Sequence, residues 1–317
     1  MRTAHPMRAA PRERGAALIL ALALMAVMAV MGVYYVRYMS LEQEAADIAL
    51  AETRARLAAD AGVQAALGKL AAALQSNPMK AALPGPDLVE LPTYQLLRGG
   101  SGLELAAHER RRASADVVVF DENARLNLNC TPASVLSVAL GIAPDAAERI
   151  AAAPNLPKEQ GGGLFLAPED LVARGFLSRE AFERLDQTLI TTYSVPDLAR
   201  PGSCLNVNTA APKALAAALG IDEAAAKAAQ EQGPFRSLDA FSQVAGKDVT
   251  GVTDGGTPMP ARMFDCESRC FRIVSTGAFA RVDVRGNEYQ RARARVEAVV
   301  MFEKPGKYRI ISWNSES

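Results

Sequence analysis

The run AALILALALMAVMAVMGVYYV, residues 16–36, holds no charged side chain. As an α-helix rising about 1.5 Å per residue it spans roughly 30 Å, the thickness of a bilayer hydrocarbon core. A short basic leader with Arg2, Arg8, Arg12 and Arg14 precedes it. Positive charge on that flank predicts a cytoplasmic N-terminus and places residues beyond 36 on the other side of the membrane.

Residues 37–77 continue as helix, being rich in Ala, Leu, Glu and Arg with no proline before Pro78. Val63, Leu67, Leu70 and Leu74 recur at helical spacing and form one apolar stripe. A single helix from Ala16 would run about 60 residues and about 90 Å, its first third in lipid and its last third with a face to bury against a globular head. A spike-and-head shape is expected. The heptad pattern is not sustained between Leu41 and Leu57, which argues against a coiled coil.

The junction between leader and span carries more information. A secretory signal is cut beyond its apolar core, whereas here the leader ends at Gly15, directly before Ala16. That layout resembles the type III signal of type IV pilins and type II secretion pseudopilins. In those proteins a prepilin peptidase removes the leader after a glycine and leaves the apolar helix at the new N-terminus. An ordinary single-span anchor is the alternative.

Residues 78–124 begin a head domain. The segment 76–102, with Pro78, Pro84, Pro86, Pro92 and the pair Gly99–Gly100, reads as loop, and 103–107 and 115–120 read as strands. An internal repeat opens the block 125–245. LNLNCTPASVLSVALGI (126–142) and LNVNTAAPKALAAALGI (205–221) align at a constant offset of 79 residues. In each copy an extended Asn-x-Asn leads into a helix with Thr131 or Thr209 as expected cap, Pro132 or Pro212 in its first turn and Gly141 or Gly220 at its end. A second helix and a Phe-initiated turn follow, FLAPEDL (165–171) or FRSLDAF (235–241). Each copy resembles a helix-hairpin-helix module, the DNA-binding unit. Those modules use a Gly-apolar-Gly hairpin, however, and Gly141-Ile142-Ala143 and Gly220-Ile221-Asp222 lack the second glycine, so no nucleic acid is expected.

Residues 246–317 are expected to hold a loop and then C-terminal strands at 270–280, 280–284 and 292–302, with a hairpin turn at 285–288. Asp248, Asp254, Asp265 and Glu267 put hard oxygen donors around a glycine-bearing loop. They read either as ligands of a structural Ca²⁺ or as solvated carboxylates.

Composition bounds the function. The 35 basic and 35 acidic residues cancel, so no global field recruits a polyanion. Four cysteines, Cys130, Cys204, Cys266 and Cys270, lie beyond the span, where disulfides form. Cys130 and Cys204 adjoin equivalent extended segments and could bridge the two copies, leaving Cys266 and Cys270 to close a local loop; three pairings are open. His5 and His108 are the only histidines, no Cys-x-x-Cys occurs, and Gly161 to Gly163 lack the Lys-Ser/Thr of a phosphate loop. No enzyme activity is supported.

Taken together, the apolar helix behind Gly15, LNLNCTP at 126–132 and LNVNTAAP at 205–212 resemble the general secretion pathway protein K family, the large minor pseudopilins of type II secretion. The resemblance implies an α+β, pilin-like fold: a long N-terminal transmembrane helix packed on an antiparallel sheet, interrupted by a large inserted α-helical domain made of two helix-hairpin-helix-like repeats. It implies a single-pass inner-membrane protein with a periplasmic C-terminal domain, cleaved by prepilin peptidase and methylated at Ala16. Its partners would be the minor pseudopilins of the I and J families and the major pseudopilin. Most pilins carry glutamate at the fifth mature position, where this chain has Leu20. A subunit with nothing ahead of it has no partner for that acid, and an unpaired carboxylate in lipid costs several kcal/mol. Leu20 therefore implies the pseudopilus tip, where the protein would initiate assembly and help export folded proteins. The alternatives are a type IV pilus or DNA-uptake component with DNA-binding repeats, and a single-span anchored periplasmic protein.

Overall fold

The structure, a computed structural model, describes residues 12–76, 89–98, 110–157, 159, 162–193, 205–249, 263–282, 285–304 and 307–316. Helix α1 (Arg12–Ser76) is continuous, as the absence of proline predicts. The chain divides into two units, one ending at Thr53 and one running from Arg54 to Ser317. In the first unit α1 is apolar enough over its N-terminal part to cross a membrane, and residues 17–50 are exposed throughout.

In the second unit five antiparallel strands form one sheet in the order β1-β2-β7-β8-β9: β1 (Val89–Arg98), β2 (Arg110–Asp121), β7 (Cys270–Val282), β8 (Glu288–Lys304) and β9 (Lys307–Glu316). The stripe Val63, Leu67, Leu70 and Leu74 on α1 is buried against Val117 and Val119 of β2, Phe271 and Ile273 of β7, and Val296, Ala298 and Val300 of β8. Each row under the helix shortens toward Arg54. Phe271 and Ile273 give way to Ser275 and then to Gly277, which is flanked by Ala115 and Ala294. The small residues let the backbones close up. A methyl group on Gly277 would lie 2.0 Å from the carbonyl oxygen of Ala55, and one on Gly62 would lie 2.3 Å from Oγ of Ser275.

Two strands depart from the sequence reading. Val89–Arg98, read as loop because of its prolines, is an edge strand. Pro92 sits at a register shift after Leu91, where the missing N–H costs no ladder bond. Lys307–Glu316 was not anticipated, because KYRIISWNSE lacks a clean two-residue alternation. The strand expected at 103–107 lies outside the described residues.

The helical block is inserted between neighbouring antiparallel strands, since Asp121 on β2 pairs with Phe271 on β7. Copy one runs from β3 (Leu126–Asn127) through α2 (Ala133–Leu140), α3 (Pro144–Ala152), α4 (Asp170–Ala173) and α5 (Arg179–Glu183) to β4 (Ile190–Thr191). Copy two runs from β5 (Leu205–Asn206) through α6 (Pro212–Leu219), α7 (Glu223–Gln230) and α8 (Leu238–Ala245) to β6 (Phe264–Asp265). In each copy the first and last strands pair in parallel, Leu126 with Ile190 and Leu205 with Phe264. The two copies share one core, in which Leu136, Ile150, Phe165 and Leu171 join Leu215, Phe235, Phe241 and Phe264. Val249, Met263 and Cys266 are buried there too. The core of the helical block thus takes in residues past 245, the expected limit, because a two-residue closing strand has no periodicity to read.

Gly141 and Gly220 end α2 and α6 with φ of +64°, the left-handed cap that glycine adopts without strain. The expected caps differ. Pro132 and Ala211 precede the helices, neither Thr131 nor Thr209 caps, and the Thr209 hydroxyl is engaged elsewhere. Ser237 does cap α8, accepting the N–H of Ala240 at 3.2 Å.

Candidate functional site

Strand β2 carries the apolar run Val117, Val118, Val119, Phe120 and ends at Asp121; Glu122 and Asn123 follow in a single turn that leads into copy one. All three are buried. Oδ1 of Asp121 accepts the N–H of Asn123 at 2.8 Å, and Oδ2 accepts the hydroxyls of Thr209, at 2.7 Å, and Ser268. Nδ2 of Asn206 donates to the Ser268 hydroxyl at 2.6 Å. Oδ1 of Asn123 accepts the N–H groups of Arg269 and Cys270 at 2.9 and 2.8 Å, fixing the exit strand beside the entry strand.

Glu122 serves the other copy. It accepts the Thr191 hydroxyl from β4, and Oε1 lies 2.8 Å from Nε of Arg272 and 3.8 Å from Nη1 of Arg125. The Arg272 contact is off the axis of a hydrogen bond, so its attraction is ionic. Both guanidinium groups lie over the Phe120 ring, 5.0 and 5.4 Å from its centre. Two adjacent carboxylates therefore tether the two copies, Glu122 the first and Asp121 the second.

Burial pushes the Asp121 carboxyl up to about 6; the bonds from Ser268, Thr209 and Asn123 oppose this and Glu122 adds to it. A folded value above the unfolded one means that folding takes up a proton between about pH 4 and 6. Stability is accordingly expected to fall as pH rises through that window, by up to about 3 kcal/mol, and to level off above it. Denaturant midpoints at pH 4.5 and 6.5 test this. Asp121→Asn should remove most of the difference, and an unchanged slope would refute the assignment.

The second asparagine of each Asn-x-Asn has the same task in both copies. Asn129 accepts the Phe165 N–H at 2.7 Å and donates to its carbonyl at 3.0 Å; Asn208 does the same to Phe235 at 2.7 and 3.1 Å. Each clamps the turn that delivers a buried phenylalanine, and each phenylalanine meets a second ring edge-on, Phe176 at 5.3 Å or Phe241 at 5.2 Å. Asp222, the residue where a DNA-binding hairpin would carry glycine, accepts the N–H of Ala225 at 2.7 Å and caps α7, putting negative charge where a phosphate would sit.

Gly15 and Ala16 lie within α1, and Leu20 is 74% exposed. Asp248 is exposed, and Asp254 lies outside the described residues. Oδ1 of Asp265 accepts the N–H groups of Cys266 and Glu267, and Glu267 lies 3.5 Å from Arg269. Among the described residues no three His, Cys, Asp or Glu side chains come together to hold a metal, so these three do not make a calcium site by themselves. Cys266 and Cys270 are buried free thiols, not bonded to each other. Burial, with Asp265 and Glu267 nearby, raises the first to about 11; burial, with Glu122 and Asp121 nearby, holds the second well above the ordinary thiol value. Cys204 lies outside the described residues.

The Asp121–Glu122–Asn123 junction and Arg272 escaped the sequence reading. The signal was two acids directly after an apolar strand, a place where an exposed turn is the ordinary interpretation.

No protein-family model and no curated protein matches the sequence. Among solved structures, a chain in the crystal structure of the GspK-GspI-GspJ complex from the enterotoxigenic Escherichia coli type 2 secretion system is similar, with a TM-score of 0.51. The likeness covers 89% of this chain and 99% of that one at 12% identity. It is a likeness of fold: α+β and pilin-like, with a long apolar N-terminal helix and an antiparallel sheet.

Proposed function

We propose that this chain is a minor pseudopilin of the type II protein secretion system, of the general secretion pathway protein K kind, acting at the pseudopilus tip. The observation that carries the proposal is where the helical block is attached. Arg54 lies over Phe279, Ala55 and Ala59 adjoin Gly277, and Gly62 adjoins Ser275, so α1 advances along β7 toward Phe271. The insertion joins the sheet at Phe271, whereas Arg54 lies at Phe279, further along β7. A block held there by buried ionic and polar contacts would obstruct a further subunit ahead, and Leu20 leaves nothing for such a subunit's amino terminus to pair with.

In this reading the chain is anchored in the inner membrane with its head in the periplasm. It assembles with the I- and J-family minor pseudopilins, starts the filament of major pseudopilin, and serves export mechanically without catalysing a reaction. Co-expression with a prepilin peptidase is expected to yield a protein beginning at Ala16, read by mass spectrometry; an intact leader would favour an ordinary anchor. A calcium site built on Asp248, Asp254, Asp265 and Glu267 is a separate proposal. It predicts a lower thermal midpoint in chelator, and an unchanged midpoint removes it.

A further inference from the structure

Helix α1 does not cover the whole sheet. Its buried cluster draws on β2, β7 and β8 and includes no residue of β9. By register Tyr308 pairs with Phe302, Ile310 with Val300, and Trp313 with Ala298, and these three partners all belong to the core under α1. Tyr308, Ile310 and Trp313 therefore stand on the helix side of the sheet, yet each is about two-fifths exposed, at 40, 42 and 40%. The Tyr308 ring continues the core outward, its centre 5.7 Å from that of Phe302. Ile311 takes up the register shift, which restores the same face at Trp313.

We propose that this ledge seats the stem helix of a second membrane-anchored subunit, lying alongside α1. Width is the first argument. Strands are spaced about 4.8 Å apart, so β9 lies about 10 Å from β7, which is the distance between the axes of two packed helices. With α1 centred on β7, one more helix fits over β9. Area is the second. Three side chains at these exposures offer on the order of 250 Å² of contact, far below the roughly 800 Å² per partner of a stable free complex. An occupant must therefore be held close by other means, and a chain anchored in the same membrane meets that need through effective concentration. A freely diffusing exported protein does not.

This inference rests on the pseudopilin reading, in which such companions exist. Trp313 is the only tryptophan of the chain and reports on the ledge directly. The full chain, labelled with 5-fluorotryptophan, is reconstituted in nanodiscs with an unlabelled full-length minor pseudopilin of the I family. The expected result is co-purification, a shifted ¹⁹F resonance shielded from a soluble paramagnetic quencher, and at least tenfold weaker association for Ile310→Asp or Trp313→Asp with unchanged circular dichroism. Co-purification with Trp313 still open to the quencher and both variants binding normally overturns the ledge and leaves the functional reading standing. Failure to co-purify overturns both. Shielding of Trp313 in the chain alone, with doubled mass, overturns the proposed occupant in favour of β9 pairing with a second copy.

Discussion

Gly277→Ala is expected to remove about 3 kcal/mol of stability or more, although it adds a single methyl group. That methyl would lie 2.0 Å from the Ala55 carbonyl oxygen and 2.5 Å from the Ala59 nitrogen. Both are backbone atoms of α1, so no side chain can swing aside and the helix must lift from the sheet. Lifting it opens the contact along Val63, Leu67 and Leu70, all buried in this layer. Gly68→Ala makes the control. It lies on the same helix with nothing within 4 Å of the added carbon, and it should gain about 0.5–1 kcal/mol from helix propensity. Thermal unfolding of the two variants in the same detergent gives opposite signs if α1 is seated as described, and equal small losses would show that it is not.

Glu122→Ala should cost about 3–5 kcal/mol, for a different reason. Glu122 is 1% exposed and faces Arg125, 8% exposed, and Arg272, 25% exposed. Its removal takes from the two guanidinium groups over Phe120 their shared counter-charge, leaving Arg272 with Glu297, 3.6 Å from its Nη1, and it releases the Thr191 hydroxyl of β4. The decisive measurement is the double variant Glu122→Ala with Arg272→Met. If the cost of the single change is uncompensated charge, the double variant recovers part of it; if it is lost packing alone, the two losses add.

What could be read from the residues was whatever repeats or keeps a period. The charge-free run, the stripe at Val63, Leu67, Leu70 and Leu74, and the two Asn-x-Asn copies are all signals of this kind, and the structure places them in α1, its buried face and two equivalent helical units. What could not be read depends on partners distant in sequence. Pro92 argues against a strand until β2 is known to lie on one side only. Thr209 looks like a cap until Asp121, far away in sequence, claims its hydroxyl. Asp121 and Glu122 look like a solvated turn until Ser268, Arg272 and Thr191 close around them. The calcium reading depends on Asp254 and the bridge between the copies on Cys204, both outside the described residues, while the expected local bridge between Cys266 and Cys270 is not formed.

The pairing of Asp121 with Phe271 bears on the order of events in folding. In an unfolded chain, joining β2 to β7 means closing a loop of roughly 150 residues, which costs about 4 kcal/mol of chain entropy before any ladder bond forms. Each helical copy closes on itself through its own parallel strand pair, and the two share one core, so the block can collapse early and bring the ends of β2 and β7 together. The central pairing of the sheet would then nucleate at Asp121 and zip toward Arg110, making the inserted block the scaffold on which its host is assembled.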